Sequence, residues 1–308
     1  MSIKSYPHNK LIVILGPTAS GKTNLAIKLA KEFSGEIVSA DSRQVYREMN
    51  IGTDKIIPDN KSSLVITAEG IPHYLIDIIE PDKKFTLAQY KQLAVKKIKD
   101  IQKKGKIPFL VGGTGLYIQA IVDNLQIPKT KPGKKMRNKL EKMANKKLFE
   151  RFKKLDPVGA ALIDANNKRR LVRALEVCLI TGKPFSQQRK KGKPLFDVLQ
   201  IGIKPDKEKL EGKINQRADK MLKAGLIEEV EKLVKKYGSK LYSMDSIGYQ
   251  EIILYLQEKI SLEQAKNLIK IHTRQYAKRQ MTWFKRDKRI RWIKNYPEAK
   301  KLAIKFLH

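Results

Sequence analysis

The chain has 308 residues, 41 % of them hydrophobic, enough for a substantial core in one large or two smaller domains and unlike the composition of a disordered chain. Lysine and arginine number 65 against 31 acidic residues, a formal charge of +34 that suits a polyanionic partner, nucleic acid first; a general lysine bias would give the same total, so clustering has to separate the two. One cysteine, Cys178, excludes an internal disulfide framework and a cysteine-based zinc finger, and no apolar run approaches the roughly 18 residues of a membrane span.

The first ten residues carry two lysines and no apolar stretch of the secretory-signal kind, so a soluble, cytoplasmic protein is expected. Residues 11–15 form an apolar run that breaks at Gly16 and passes into a helical pattern from Lys22. The connecting segment Gly16, Pro17, Thr18, Ala19, Ser20, Gly21, Lys22, Thr23 fits G-x-x-x-x-G-K-[ST] at every fixed position, and it lies in the strand-to-helix context that the motif requires. Glycines there let backbone N–H groups converge on an anion, the helix adds its positive N-terminal end, and Lys22 adds a point charge. The Thr23 hydroxyl suits a Mg²⁺ shell shared with phosphate oxygens and water. A diphosphate or triphosphate ligand is implied; whether it belongs to a nucleotide is left open by the loop.

Residues 36–40 read as a second strand that delivers Asp41, Ser42, Arg43 and Gln44 to its carboxyl end, the edge at which open α/β sheets bind ligands. Two roles stay open for Asp41: holding water around Mg²⁺, or accepting a proton from a substrate. Residues 73–79 read as strand or extended chain. Thr86 is the expected N-cap of a long helix to Lys104, stopped by Gly105, and residues 107–111 form a further buried strand ending in Gly112-Gly113-Thr114-Gly115. This second glycine turn is expected to face the first across a shared pocket.

Residues 122–194 are helix-forming and basic, with Pro128, Pro132, Pro157 and Pro184 as breaks, and read as a helical insertion. It holds Lys134, Lys135, Arg137 and Lys139, then Asn166, Asn167, Lys168, Arg169 and Arg170 at the start of a helix running to about residue 180, in which Cys178 falls in the apolar series with Leu171 and Leu175. Residues 196–203 restore strand alternation. Helices are expected at 207–222, 226–237, 246–257 and 261–286, with a short strand at 291–293. At about 100° per residue, Arg274, Lys278 and Lys285 share one row of the last helix and Arg279 and Arg286 a neighbouring row. No acid interrupts that stretch between Glu263 and Asp287, as expected of a phosphate track rather than a salt-bridged surface.

Six blocks, GPTASGKT from Gly16, DSRQVY from Asp41, GGTGLY from Gly112, RRLVRALEV from Arg169, SIGYQE from Ser246 and KRQMTWFKRD from Lys278, resemble in order those of the tRNA dimethylallyltransferases, also called tRNA isopentenyltransferases. The resemblance implies an α/β fold: a P-loop NTPase-like core with a mostly parallel sheet flanked by helices, formed by residues 1–121 and 195–308, plus a tRNA-binding helical insertion at 122–194. It implies transfer of a dimethylallyl group from dimethylallyl diphosphate to N6 of adenosine 37 beside the anticodon, on a nucleoside flipped out of the anticodon stem-loop. The P-loop then holds the diphosphate rather than ATP. By position, Asp41 resembles the general base, and Lys22, Thr23 and Arg217 the groups that hold Mg²⁺ and the leaving diphosphate. Thr114 and Arg137 resemble tRNA contacts, and Asp41 to Gln44 and Asn166 to Arg170 resemble tRNA-binding segments. A bacterial-type monomer is implied. The rival readings are a P-loop kinase or NTPase, a transferase acting on free adenine nucleotide, and an RNA-binding protein with a vestigial phosphate loop.

Overall fold

The computed structural model describes residues 9–60, 65–128, 133–188 and 190–308; the predicted break at Pro132 lies outside them. The larger of two compact units comprises residues 1–122 and 195–308. It begins with β1 (Lys10–Leu15), α1 (Lys22–Glu32), β2 (Gly35–Ser39), the short hairpin β3 (Ile66–Ala68) and β4 (Ile71–Tyr74), α2 (Leu87–Lys103), β5 (Ile107–Gly112) and α3 (Gly115–Val122). The smaller unit, residues 123–194, holds α4 (Lys134–Glu141), α5 (Asn145–Leu155), α6 (Pro157–Ala160), α7 (Lys168–Thr181) and α8 (Phe185–Gln188). The chain then completes the larger unit with β6 (Asp197–Ile203), α9 (Lys207–Lys223), α10 (Leu226–Tyr237), α11 (Tyr249–Leu256), α12 (Leu262–Phe284), β7 (Arg291–Ile293) and α13 (Tyr296–Leu307).

The sheet runs β3-β4-β2-β5-β1-β6-β7, parallel except for β3. β1 and β5 are apolar almost without alternation, as strands covered on both faces must be. Leu11, Val13 and Leu15 face α2 and α3, while Ile12 and Ile14 face α1 and α13. Leu15 stands opposite Gly112 on one side and Gly202 on the other, and Ser39 opposite Val111. The carboxyl ends of β1, β2 and β5 are therefore level, and whatever follows each strand opens at one edge of the sheet.

Two expected elements are shorter than their patterns. The extended run from His73 stops at Tyr74 because Leu75 and Asp77 take left-handed backbone angles, φ 64° and 54°. The helix expected from Ser246 begins at Tyr249, since Gly248 sits at φ 95°, outside helical geometry, and donates its N–H to Glu251 Oε2 at 2.7 Å. At α2 the cap is as read: Thr86 and Gln89 form a reciprocal capping box.

The smaller unit has its own core, in which Leu148, Phe152, Leu171, Leu175 and Cys178 pack together. Its buried carboxylates Glu176 and Asp156 are held in different ways. Glu176, fully buried, takes Arg173 at 2.9 Å and Arg137 at 3.5 Å. Asp156 caps α6 through the N–H of Gly159 and binds both Ser186 N–H and Ser186 Oγ, so its carboxyl is held below its ordinary range.

Candidate active site

The loop after β1 is built to be anion-shaped. Gly21, at φ 84°, turns the chain so that α1 starts at Lys22 with its free N–H groups toward the loop, and Ala19 at φ 60° adds a second left-handed residue. Lys22 Nζ folds back onto the carbonyl of Pro17 at 2.6 Å. Burial pushes its ammonium down to about 8, against the pull of Asp41; Arg217 lowers it further and Asp54 opposes. Such a lysine gains most when an anion arrives.

Arg217, from α9, enters the same place. Its guanidinium donates to Thr18 Oγ1 at 3.1 Å and pairs with Asp54 at 2.9 Å. The sequence had tied Arg217 to the loop only through resemblance, and the fold closes a gap of 199 residues between Thr18 and Arg217.

Asp41 leaves the end of β2 with one oxygen committed. Its Oδ1 accepts the N–H of Arg43 at 2.8 Å and of Gln44 at 3.3 Å, an Asx turn, while its other oxygen makes no hydrogen bond among the described residues. Asp41 is thus both a turn cap and a carboxylate with a lone pair to spare. Beside it Thr114 Oγ1 accepts the N–H of Ser42 at 3.1 Å, and the Tyr276 hydroxyl bonds to Thr114 as well. Burial, with Asp41 adding, raises the Tyr276 phenol to about 12.

Other candidates have structural duties. Arg43 donates to the carbonyls of Tyr242 at 2.9 Å and Ser243 at 3.2 Å and to that of Asp245, and its guanidinium lies over the Tyr242 ring. Gln44 spends its amide N–H groups on the carbonyls of Thr53 and Asp54. Asn167 caps α7 by accepting the N–H of Arg170 at 3.1 Å; Asn166, Lys168, Arg169 and Arg170 are exposed. On α12, Lys278, Arg279, Lys285 and Arg286 are exposed, but Arg274 departs from the expected solvent row. It is half-buried and donates to Asn215 of α9 at 3.0 Å, because that end of α12 is the seam with α9. The exposed row of cations is correspondingly shorter.

Gln280 is the residue the sequence reading missed. It is buried, and its Oε1 accepts the Thr18 N–H at 2.8 Å while its Nε2 donates to the Gly113 carbonyl at 2.9 Å. One side chain of α12 therefore joins both glycine turns. Gly113 is glycine for the same reason: a Cβ there would lie 2.2 Å from Gln280 Nε2. A polar residue amid the Ala277 and Phe284 positions of a helix was the available signal.

The donor set fits Mg²⁺ rather than a softer metal. The oxygens at hand are the Thr23 hydroxyl, the unengaged oxygen of Asp41 and the buried Ser20 Oγ, which lacks a hydrogen-bond partner. No group of three or more His, Cys, Asp or Glu able to hold a metal occurs among the described residues, and a diphosphate-bound Mg²⁺ needs none, since phosphate and water oxygens fill most of its octahedron. Nor, among the described residues, is any helix long and apolar enough to cross a membrane.

A family model described as IPP transferase matches residues 44–287. Similar proteins include the tRNA dimethylallyltransferases of a Thermoanaerobacter species, 46 % identical over 97 % of each chain, and of Carboxydothermus hydrogenoformans, 45 % identical over 94 % of this chain and 93 % of that one. Among solved structures, the tRNA isopentenylpyrophosphate transferase of Bacillus halodurans is 37 % identical with a TM-score of 0.69, covering 97 % of this chain and 94 % of its own. A eukaryotic dimethylallyltransferase acting on tRNA gives a TM-score of 0.76 at 31 % identity, over 89 % of this chain and 69 % of that one.

Proposed function

This chain belongs to the tRNA dimethylallyltransferase family of prenyl-transferring enzymes, and on that premise we propose that it alkylates N6 of adenosine 37, next to the tRNA anticodon, with dimethylallyl diphosphate as donor and Asp41 as general base. The observation that carries the reading is the meeting of Asp41, Lys22 and Arg217 at the level strand ends, with one Asp41 oxygen unengaged.

Residues 16–23 hold the diphosphate through backbone N–H groups, Lys22 and Arg217 neutralise it, and the Thr23 hydroxyl helps to hold Mg²⁺. When bound, Mg²⁺ adds positive charge beside the leaving oxygens. As the allylic C–O bond breaks, its electron pair departs with the diphosphate, and the negative charge that grows there meets a lysine and an arginine already in place. N6 supplies the electron pair of the new C–N bond. Asp41 takes the N6 proton as that bond forms, a contribution of about 10²- to 10⁴-fold. Its Oδ1, held by two backbone N–H groups, fixes where the other oxygen points.

The smaller unit and the outer face of α12 serve the tRNA. Lys168, Arg169, Arg170, Lys278 and Lys285 are exposed cations suited to phosphates. Arg137 and Asn167 stand half-buried within the smaller unit beside its exposed cations, and Ser42 and Thr114 flank the acceptor base. We take the enzyme to act as a cytoplasmic monomer.

Labelled dimethylallyl diphosphate offered with either unmodified tRNA or AMP tests the reading. Label in tRNA alone is expected. Label in AMP, or ATP turnover without tRNA, would replace it with one of the rival activities.

A further inference from the structure

We propose that Asp54 is a built-in counter-anion for Arg217, a positioning residue that holds the guanidinium at the phosphate loop and is displaced from it when the donor diphosphate arrives. The inference rests on the reading of Arg217 as a diphosphate ligand and adds that donor binding is an exchange of one anion for another, so that Asp54 weakens donor and pyrophosphate affinity.

The Asp54 carboxylate lies 2.9 Å from Arg217, and the same guanidinium reaches Thr18 Oγ1 at 3.1 Å. Arg217 therefore already stands at the loop, oriented by a carboxylate where a phosphate oxygen would compete for it. Asp54 also acts on Lys22 through space, so its charge is felt by both cations of the site.

The turn that carries Asp54 is held from several sides. Glu229 of α10 accepts the N–H groups of Asn50 at 2.9 Å, Ile51 at 2.8 Å and Gly52 at 3.1 Å. Gln44 donates to the carbonyls of Thr53 at 3.2 Å and Asp54 at 3.1 Å. The backbone of Asp54 itself is left-handed, φ 52°, a conformation uncommon outside glycine, asparagine and aspartate. None of these contacts uses the Asp54 carboxylate, whose described partner is Arg217, and that side chain remains 58 % exposed. A fixed backbone thus presents a carboxylate that can let go at little cost, since exposed ion pairs are weak.

Asp54→Asn is a clean test because asparagine tolerates the left-handed backbone and keeps the shape while losing the charge. Binding of inorganic pyrophosphate by calorimetry and the donor KM are measured for the wild type, Asp54→Asn, Arg217→Gln and the double variant, each with and without excess Mg²⁺. Asp54→Asn should tighten pyrophosphate and lower the donor KM by about two- to fivefold, the range an exposed pair supports, with tRNA affinity unchanged. In the Arg217→Gln background that gain should shrink to the smaller part exerted through Lys22. Unchanged or weaker pyrophosphate binding in Asp54→Asn would overturn the proposal, as would a gain of undiminished size without Arg217 or a loss rescued by Mg²⁺, which would make Asp54 a metal ligand. Should Arg217→Gln leave donor binding intact, the underlying reading of Arg217 would fail instead.

Discussion

Gln280 and Thr18, 262 residues apart, are joined by a 2.8 Å hydrogen bond from the Thr18 N–H to Gln280 Oε1, and the same amide holds Gly113. The phosphate loop and the second glycine turn are therefore kept at a set separation by the helix whose outer face carries Lys278 and Arg279.

Gln280→Met keeps the volume and removes both bonds, leaving a backbone N–H and a carbonyl unsatisfied at a cost of about 1–3 kcal/mol each where they are buried. Thermal stability should fall, and the donor KM of the folded enzyme should rise by about tenfold with tRNA affinity retained. Gln280→Glu still accepts from Thr18 but no longer donates to Gly113, so its donor KM should lie between the two. Equal donor KM values in all three proteins would reduce Gln280 to packing.

On this reading Lys22 should make donor binding pH-dependent. Because burial lowers its pKa to about 8, the folded chain gives up this proton before the unfolded one does. The cost of the buried ammonium is present below about 8 and fades toward the ordinary lysine range near ~10.4, so this group makes stability rise with pH across that window. An anion on the loop restores the proton. Pyrophosphate binding should therefore take up protons between about pH 8 and 10 and weaken as pH rises, measurable by calorimetry in two buffers of different ionisation enthalpy, and Lys22→Ala should abolish the uptake.

Neutralising Lys278 and Lys285 should weaken tRNA binding and reduce its log-log salt slope by about 0.7–0.9 for each phosphate that is no longer neutralised. Arg274→Ala, which removes the bond to Asn215, should cost stability and leave the slope alone. A slope unmoved by the two lysines would return this face to ordinary solvated surface.

In the smaller unit, Asn167→Ala removes a helix cap and should cost about 1 kcal/mol of stability. Lys168→Ala and Arg170→Ala should instead act on tRNA affinity and its salt dependence, with the melting temperature nearly unchanged. Titrating tRNA over a range of salt concentrations beside thermal melts separates the two behaviours.

What could be read from the chain is what short-range patterns encode. The apolar run at Leu11, the glycine loop, the Thr86 cap and the return to strand alternation near Phe196 each sit within a few residues of their causes. Tertiary contacts were not legible. Nothing local to Gln280, Asp54 or Glu229 tells which groups they meet, and the duties of Arg43 and Gln44 depend on carbonyls delivered by distant loops. Arg274 shows the same limit from the other side: its helical row was correctly drawn, but the row continues into a helix seam at that end. Of the β3–β4 hairpin only the part of β4 from His73 was read, because three- and four-residue strands carry too little alternation, and the apolar helix α3 escaped because eight residues show no clear period.

The central claim is that Asp41 takes the proton from N6. Asp41→Asn keeps an oxygen that can accept the Arg43 and Gln44 N–H groups, so the turn survives while the base is lost. Single-turnover transfer to unmodified tRNA, measured beside donor and tRNA affinity at two Mg²⁺ concentrations, gives the most direct answer. A fall of about 10²-fold or more in the transfer rate, with both affinities retained and no rescue by Mg²⁺, is the predicted result. Transfer at an undiminished rate, or a loss that follows donor affinity and recovers with Mg²⁺, would contradict it.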